Sequence, residues 1–477
     1  MLKVGIFMNN KLPLKEKLGY GVGAVGLDLS YGLFYSYLSI YLTDALGISP
    51  WFLLILTPLA RLWDGINDPM MGTLVDISNH RMGKYRPWIL RGTILNAIVL
   101  ILMFNTPASV AGSKAVYVYV AVFYVLWGMT NTLADIPYWS MIPSFASEEK
   151  DRNLISTIAR AFSGLGQGVI GILTVPMVAM LSKSAESSLE DMSSSDIRSG
   201  LGKWAIVCAV LLVAFAAVSV ASTRERNVIK AEEKFSFKNA ISVIRNNDQL
   251  LVFMLFAMIS NAGYYMTSGI SNYYFKSVLN IWGNQSVFYT FGAIGSVLGI
   301  LVIPVCSKLG MTNRSTYKLS LSVAAAGYIG MAVVGYLFGG NIYGLGVCYL
   351  IASIGIGSMF VNQTVMLSDV VDYGEYKLGT RNQSLTFSMK GFLQKMAYTI
   401  QSIIMYASFG LTKYQVVTSD TAAVVQTQAS KDAISALMFI VPPVCLLISL
   451  AIFSKKYKIY GDFKTEVLET VSKKHEA

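Results

Sequence analysis

Charge is scarce in this chain. Of 477 residues, Asp, Glu, Lys and Arg together make up 14%, against 54% hydrophobic residues. A soluble domain carries about a quarter charged residues, so this composition excludes an ordinary soluble enzyme and implies an exterior that faces lipid. Histidine is scarcer still: His80 lies in a basic loop and His475 in a tail, so no intramembrane histidine relay is available. The four cysteines, Cys208, Cys306, Cys348 and Cys445, lie in or at the edge of apolar runs and form no CxxC pair. That spacing excludes a metal cluster, a redox centre and a disulfide framework, and reads as small buried hydrophobes. Walker A, HExxH and GxSxG sequences are all missing, which argues against ATP-driven transport by this chain alone and against hydrolase chemistry. The net charge of +11 is spread over short segments rather than gathered on one basic face, so no nucleic-acid partner is expected. Neither enzymatic activity nor an organic cofactor is expected.

What the chain has instead is apolar runs of the length, about 20 residues, that spans a bilayer as a helix. They fall near 19–45, 51–75, 88–104, 116–145, 155–181, 204–221, 250–279, 287–306, 319–338, 343–370, 385–409 and 433–453. The first run carries Asp28 and ends in no small-residue cleavage site, so it is expected to be kept as a helix rather than removed as a signal peptide. Basic residues gather on one side of the resulting topology: Lys15 and Lys17, Arg81, Lys84 and Arg86, Arg224 and Arg226, Lys455 and Lys456. By the positive-inside rule both termini and the central segment are cytoplasmic, in a multi-pass protein of the cell membrane. The predicted fold is an all-α membrane protein of twelve transmembrane helices in two six-helix bundles. Its divisions are a bundle over 1–223, a linker over 224–249, a bundle over 250–454 and a tail over 455–477. This layout resembles the major facilitator fold, with its midplane site. Within the linker, Phe235, Phe237, Ile241 and Ile244 suggest either a short amphipathic surface helix or a plain tether.

Ionisable groups inside such helices cost a few kcal/mol or more at the bilayer centre, so they mark function. Asp64 and Asp68 stand at i and i+4 on one helix face with Asn67 beside them. Two carboxylates that close repel one another, so at depth one stays protonated or both share a cation, the chemistry of a site for H⁺, Na⁺ or Li⁺. The competing reading is a structural pair between Asp64 and Arg61. Further along, Thr132, Asp135 and Trp139 share a face. A carboxylate accepts from neighbouring sugar hydroxyls while an indole covers the C–H face of the ring, so Asp135 and Trp139 suit a pyranoside, with Asp28 and Tyr35 available from the first helix. Trp139 taken alone would read as packing or an interface anchor. Arg160 and Lys395 either balance these acids or donate to the sugar. Gly21-Val-Gly23-Ala-Val-Gly26 matches a dinucleotide fingerprint, but no strand precedes it, and close helix packing explains it better.

Several stretches carry a resemblance over nearly the whole length: Arg61 to Pro69 followed by Met82-Gly-Lys-Tyr-Arg-Pro-Trp88, Trp127-Gly-Met-Thr with Asp135-Ile-Pro-Tyr-Trp-Ser140, Asn247-Asp-Gln249, and Asp369-Val-Val-Asp372-Tyr-Gly-Glu375-Tyr-Lys377. With them the chain resembles the glycoside-pentoside-hexuronide:cation symporter family. The resemblance implies a cation-coupled sugar symporter whose partners are a sugar, a monovalent cation and the bilayer; a monomer is the expected state. It further implies a Na⁺ site of Asp64, Asn67, Asp68 and Thr132, all bearing oxygen, and a sugar site of Asp28, Asp135, Trp139 and Arg160 with Tyr35 nearby. Lys395 matches a lysine linking the bundles, and Arg152, Asp369 and Arg381 match cytoplasmic gate charges. Against the family pattern, Asn131 replaces a tyrosine, Phe360 a tryptophan, and Lys390-Gly391 a Gln-Thr pair near the sugar. The extra cation at Lys390 motivates the expectation of an acidic sugar, with neutral glycosides and pentosides as the alternative. The rival classes are an uncoupled sugar facilitator or exchanger and a lysolipid-type carrier of the same fold.

Overall fold

The computed structural model describes residues 12–77, 80–146, 149–182, 192–226, 245–379, 383–416 and 425–476, and their regular structure is helical throughout. Hydrocarbon offers no partner for a backbone N–H or C=O, so a spanning segment satisfies them internally as a helix. The long helices are α1 (Leu14–Ile40), α2 (Pro50–Ile77), α3 (Arg86–Phe104), α4 (Ala115–Ser140), α5 (Glu149–Leu181) and α6 (Ser194–Ser222), then α7 (Asp248–Tyr273), α8 (Gln285–Lys308), α9 (Asn313–Leu337), α10 (Ile342–Leu378) and α11 (Gln383–Leu411). The twelfth apolar run folds as α12 (Gln428–Phe439) and α13 (Val441–Lys456), broken at Ile440 where Pro442 and Pro443 cannot donate backbone bonds. The expected tail contains one more helix, α14 (Gly461–Glu476).

Side-chain caps set several starts. The side chains of Asn247, Thr312, Asn341 and Thr427 each accept from the backbone N–H three residues on, at 2.9 to 3.2 Å. Among the described residues, nine spans are long and apolar enough to cross a membrane, α12 and α13 counting as one. The long helices outside that set are α1, α2 and α11, and they carry Asp28, the Asp64–Asp68 pair and Lys395. Several helices outrun the apolar stretches that announce them; α5 begins at Glu149 and α10 runs to Leu378, because polar residues continue a helix beyond the hydrocarbon layer.

The chain divides into two compact units. One comprises Met1–Leu38, Leu62–Lys183 and Asp196–Glu233; the other comprises Ser39–Arg61, Ser184–Ser195 and Lys234–Ala477. The α1–α2 turn, including a π-helical turn at Tyr41–Ala45, thus belongs to the second unit. Within the first unit the glycine-rich run of α1 is a packing surface. A Cβ at Gly21 would stand 2.9 Å from Ile158 of α5, and one at Gly26 would stand 3.1 Å from the Leu212 carbonyl of α6.

Three of the motif stretches form two clamps at helix ends. Glu225, just past α6, accepts from the backbone N–H groups of Lys84, Tyr85 and Arg86 at 2.8, 2.9 and 3.0 Å, neutralising the start of α3. Arg86 in return donates to the Val220 carbonyl at 2.7 Å. In the second unit, Asn247 donates to the Val370 carbonyl at 3.2 Å, and Asp248 accepts from Tyr373 at 2.8 Å and from Lys377. The Asn247-Asp-Gln249 and Asp369-to-Lys377 stretches therefore hold one another. The linker's apolar residues Phe235 to Ile244 lie outside the described residues.

Candidate functional site

In the first unit, α2 and α4 meet as two matched ladders. Asp64 and Asp68 stand one turn apart on α2; Gly128 and Thr132 stand one turn apart on α4. The Thr132 hydroxyl lies 2.9 Å from Asp68 Oδ1 and 2.9 Å from the Gly128 carbonyl, so its one proton serves either at a time. Gly128 faces Asp64, whose Oδ1 would be 2.9 Å from a Cβ at that position. Asp64 is 4% exposed and Asn67 1%. Both polar atoms of the Asn67 amide are buried with no hydrogen-bond partner among the described residues. A buried amide left unsatisfied costs about 1–3 kcal/mol per group, so this position favours a ligand that completes it. Amide, carboxylate and hydroxyl oxygens are the donors a small hard cation takes.

The second cluster is organised by α5. Trp139 Nε1 donates to Asp135 Oδ1 at 3.0 Å, joining the pair that the i, i+4 spacing predicts. The Arg160 guanidinium sits over the Trp139 indole, 4.0 Å from the ring centroid. On α1, Asp28 is held by two residues that the sequence reading does not single out: the Ser163 hydroxyl donates to Oδ2, and Gln167 Nε2 donates to Oδ1 at 2.8 Å. Both are neutral, and the only hint of them is a polar pair at i, i+4 inside an apolar run. Tyr35 packs in an aromatic cluster, its ring 4.4 Å from that of Tyr31 and 5.7 Å from that of Trp127.

In the second unit, Phe360 of α10 meets Tyr264 of α7 edge-on at 5.4 Å, and Tyr265 stacks on Tyr398 at 3.6 Å. Lys395 is half-buried on α11. Lys390 also lies on α11, but its side chain is outside the described set, as is Arg381 altogether. Of the expected gate charges, Arg152 donates to the Ala146 carbonyl at 2.8 Å, and Asp369 accepts from Lys464 of α14 at 2.7 Å. A buried polar knot also forms around Asp44, which accepts from Lys276, from Tyr414 at 2.9 Å and from Thr43 at 2.8 Å. Lys276 is noticeable in the sequence as a charge within an apolar run; Asp44, at the end of the first run, is not.

An all-helical chain of multiple membrane spans, with acids held inside its helices, defines a membrane transporter. The chain belongs to the MFS/sugar transport protein family, whose model matches residues 19–460. It is 24% identical over 477 residues to the lactose permease of Lactobacillus delbrueckii subsp. bulgaricus, covering 96% of this chain and 72% of that protein. It is 25% identical over 482 residues to a putative glycoside/cation symporter, YagG, of Escherichia coli K12, covering 98% and 96%. Among solved structures, a point mutant of the nucleoside transporter NupG shares the fold, with a TM-score of 0.65 at 11% identity over 93% of this chain and 100% of that one. The chain is thus a transporter rather than an enzyme.

Proposed function

We propose that this chain carries a glycoside, pentoside or hexuronide together with Na⁺ or H⁺ (Li⁺ as a substitute), by alternating access. One observation carries the reading: the Asn67 amide, 1% exposed and unpartnered at both polar atoms among the described residues, stands on α2 between Asp64 and Asp68. A structural ion pair would leave that amide unexplained; a cation bound by Asp64, Asn67, Asp68 and Thr132 accounts for the amide oxygen and offsets the repulsion between the acids. In the first unit the proposed sugar ligands are Asp28 and Asp135, with Trp139 beneath the ring and Tyr35 and Arg160 close by; in the second unit Phe360, Lys390 and Lys395 are proposed as sugar-binding residues. The family's sugar-transport character and the relatives named for lactose and for glycoside/cation symport support this assignment.

The basic segments between helices support a cell-membrane protein with both termini cytoplasmic. Two six-helix bundles joined over 224–249 are the moving parts, and one chain supplies every proposed ligand, so a monomer suffices. Proteoliposomes test the reading. Under an inward Na⁺ or proton gradient, wild-type protein accumulates sugar uphill, whereas Asp68→Cys loses accumulation and retains sugar exchange. Gradient-independent uptake by the wild type would make it an uncoupled facilitator, and unchanged accumulation in Asp68→Cys would remove the cation site.

A further inference from the structure

Helix α5 touches both proposed sugar anchors. Arg160 covers Trp139, the partner of Asp135, while Ser163 and Gln167 take the two oxygens of Asp28. Arg160, Gly164, Gln167 and Gly168 follow one face of that helix at i, i+4, i+7 and i+8, and the rise places Gln167 about 10 Å beyond Arg160. The glycines divide the helix into a packed side and an open one. A Cβ at Gly166 would strike the Val25 carbonyl at 2.6 Å and Asp28 Cβ at 3.1 Å, whereas a Cβ at Gly164 or Gly168 would meet nothing within 4 Å among the described residues. The two donors to Asp28 differ in the same way: Ser163 is 8% exposed and Gln167 is exposed.

From this geometry we infer that Gln167 is a specificity-determining residue and Ser163 a positioning residue. The inference rests on the proposed sugar site. Ser163, sealed against α1, fixes Asp28 Oδ2. Gln167, on the open side, sets the direction in which Oδ1 accepts. A carboxylate offers about four lone-pair sites, and the two protein donors leave the others for a pair of sugar hydroxyls. The ring bearing those hydroxyls lies over the strip that Gly164 and Gly168 keep free of side chains. The class selected is a pyranoside whose hydroxyl pair reaches Asp28 while its ring clears position 164.

Uptake of labelled lactose, xylose and glucuronate by reconstituted protein tests this, with Asp28→Asn, Gln167→Ala, Gly164→Val, Ser163→Ala and Ser163→Thr compared against wild type. Gln167→Ala is expected to raise KM for the best-used sugar roughly tenfold or more, as for loss of a hydrogen bond to a charged group. The maximal rate holds, and the order of preference among the three sugars changes. Gly164→Val, whose Cβ meets no described atom within 4 Å, is expected to exclude that sugar, and Ser163→Thr to recover what Ser163→Ala loses. If Asp28→Asn abolishes uptake while Gln167→Ala and Gly164→Val keep the wild-type KM and sugar order, the inference fails and the sugar site stands. Wild-type uptake by Asp28→Asn removes the sugar site and the inference together.

Discussion

Replacing Gly128 by Ala separates the proposed cation site from the stability of the fold, because the two respond with opposite signs. In a helix Ala is favoured over Gly by up to about 1 kcal/mol, so folding alone predicts a variant as stable as the wild type or more so. The new methyl carbon would stand 2.9 Å from Asp64 Oδ1, and ordinary contact begins at 3.4 Å. Asp64 Oδ1 is the far end of a side chain and yields by about 0.5 Å at small cost, but a metal ligand tolerates only about 0.2 Å. Sodium affinity is therefore expected to fall tenfold or more, about 1.4 kcal/mol. Thermal denaturation of purified protein across a sodium titration reads both quantities: the melting temperature without sodium holds or rises, and the sodium concentration giving half the maximal shift increases. A variant that titrates like the wild type would show that Asp64 Oδ1 does not bind the ion, and the ladder of α2 against α4 would lose its functional meaning.

Trp139→Phe removes the N–H donated to Asp135 and weakens the seat of Arg160, so sugar KM should rise about fivefold, near 1 kcal/mol, with sodium binding in the absence of sugar unchanged. Lys464→Ala deprives the buried Asp369 carboxylate of its partner on α14; with Lys464 partly exposed, a loss of about 1–2 kcal/mol is expected, read as a lower melting temperature that Asp369→Asn in the same background restores. If Lys390 selects acidic sugars, glucuronate should compete with labelled neutral sugar for uptake, and Lys390→Ala should weaken that competition more than it weakens neutral-sugar uptake; indifference of the wild type to uronates would end the idea.

What is readable in this sequence follows from the cost of charge in hydrocarbon. Asp28, Asp64, Asp68 and Asp135 stand out because nothing but an ion, a hydroxylated solute or a protein partner makes them tolerable at depth, and helical spacing then links Asp64 to Asp68 and Asp135 to Trp139. Neutral partners carry no such signal. Ser163, Gln167 and Gly128 look like any small or polar residue of a membrane helix, and only the close approach of α5 to α1 and of α4 to α2 reveals their contacts. The same holds for Asp44: its partners Lys276 and Tyr414 lie 232 and 370 positions away, beyond the reach of any local pattern. The apolar runs show where helices cross but not where they end, so the extensions of α5 and α10 and the whole of α14 are missing from a hydropathy reading.

The placement of the two proposed ligand sites on one helix gives coupling a physical route. Thr132 bonds to Asp68 on the cation side, and Asp135, three residues on, bonds to Trp139 on the sugar side; the two are about 4.5 Å apart along α4. Between Asp135 and Trp139 stands Pro137, which cannot donate to the carbonyl four residues back and so loosens the helix at that point. If the proposed sites hold, a cation drawing Thr132 and Asp68 together would restrain α4 one turn before Asp135 and lower the ordering cost that sugar otherwise bears. Linkage then requires that sugar tighten sodium binding by the factor by which sodium tightens sugar. A route confined to α4 further requires that Thr132→Ala shrink both factors equally, while a variant acting on Asp28 alone weakens sugar and leaves sodium binding to the empty carrier as it was.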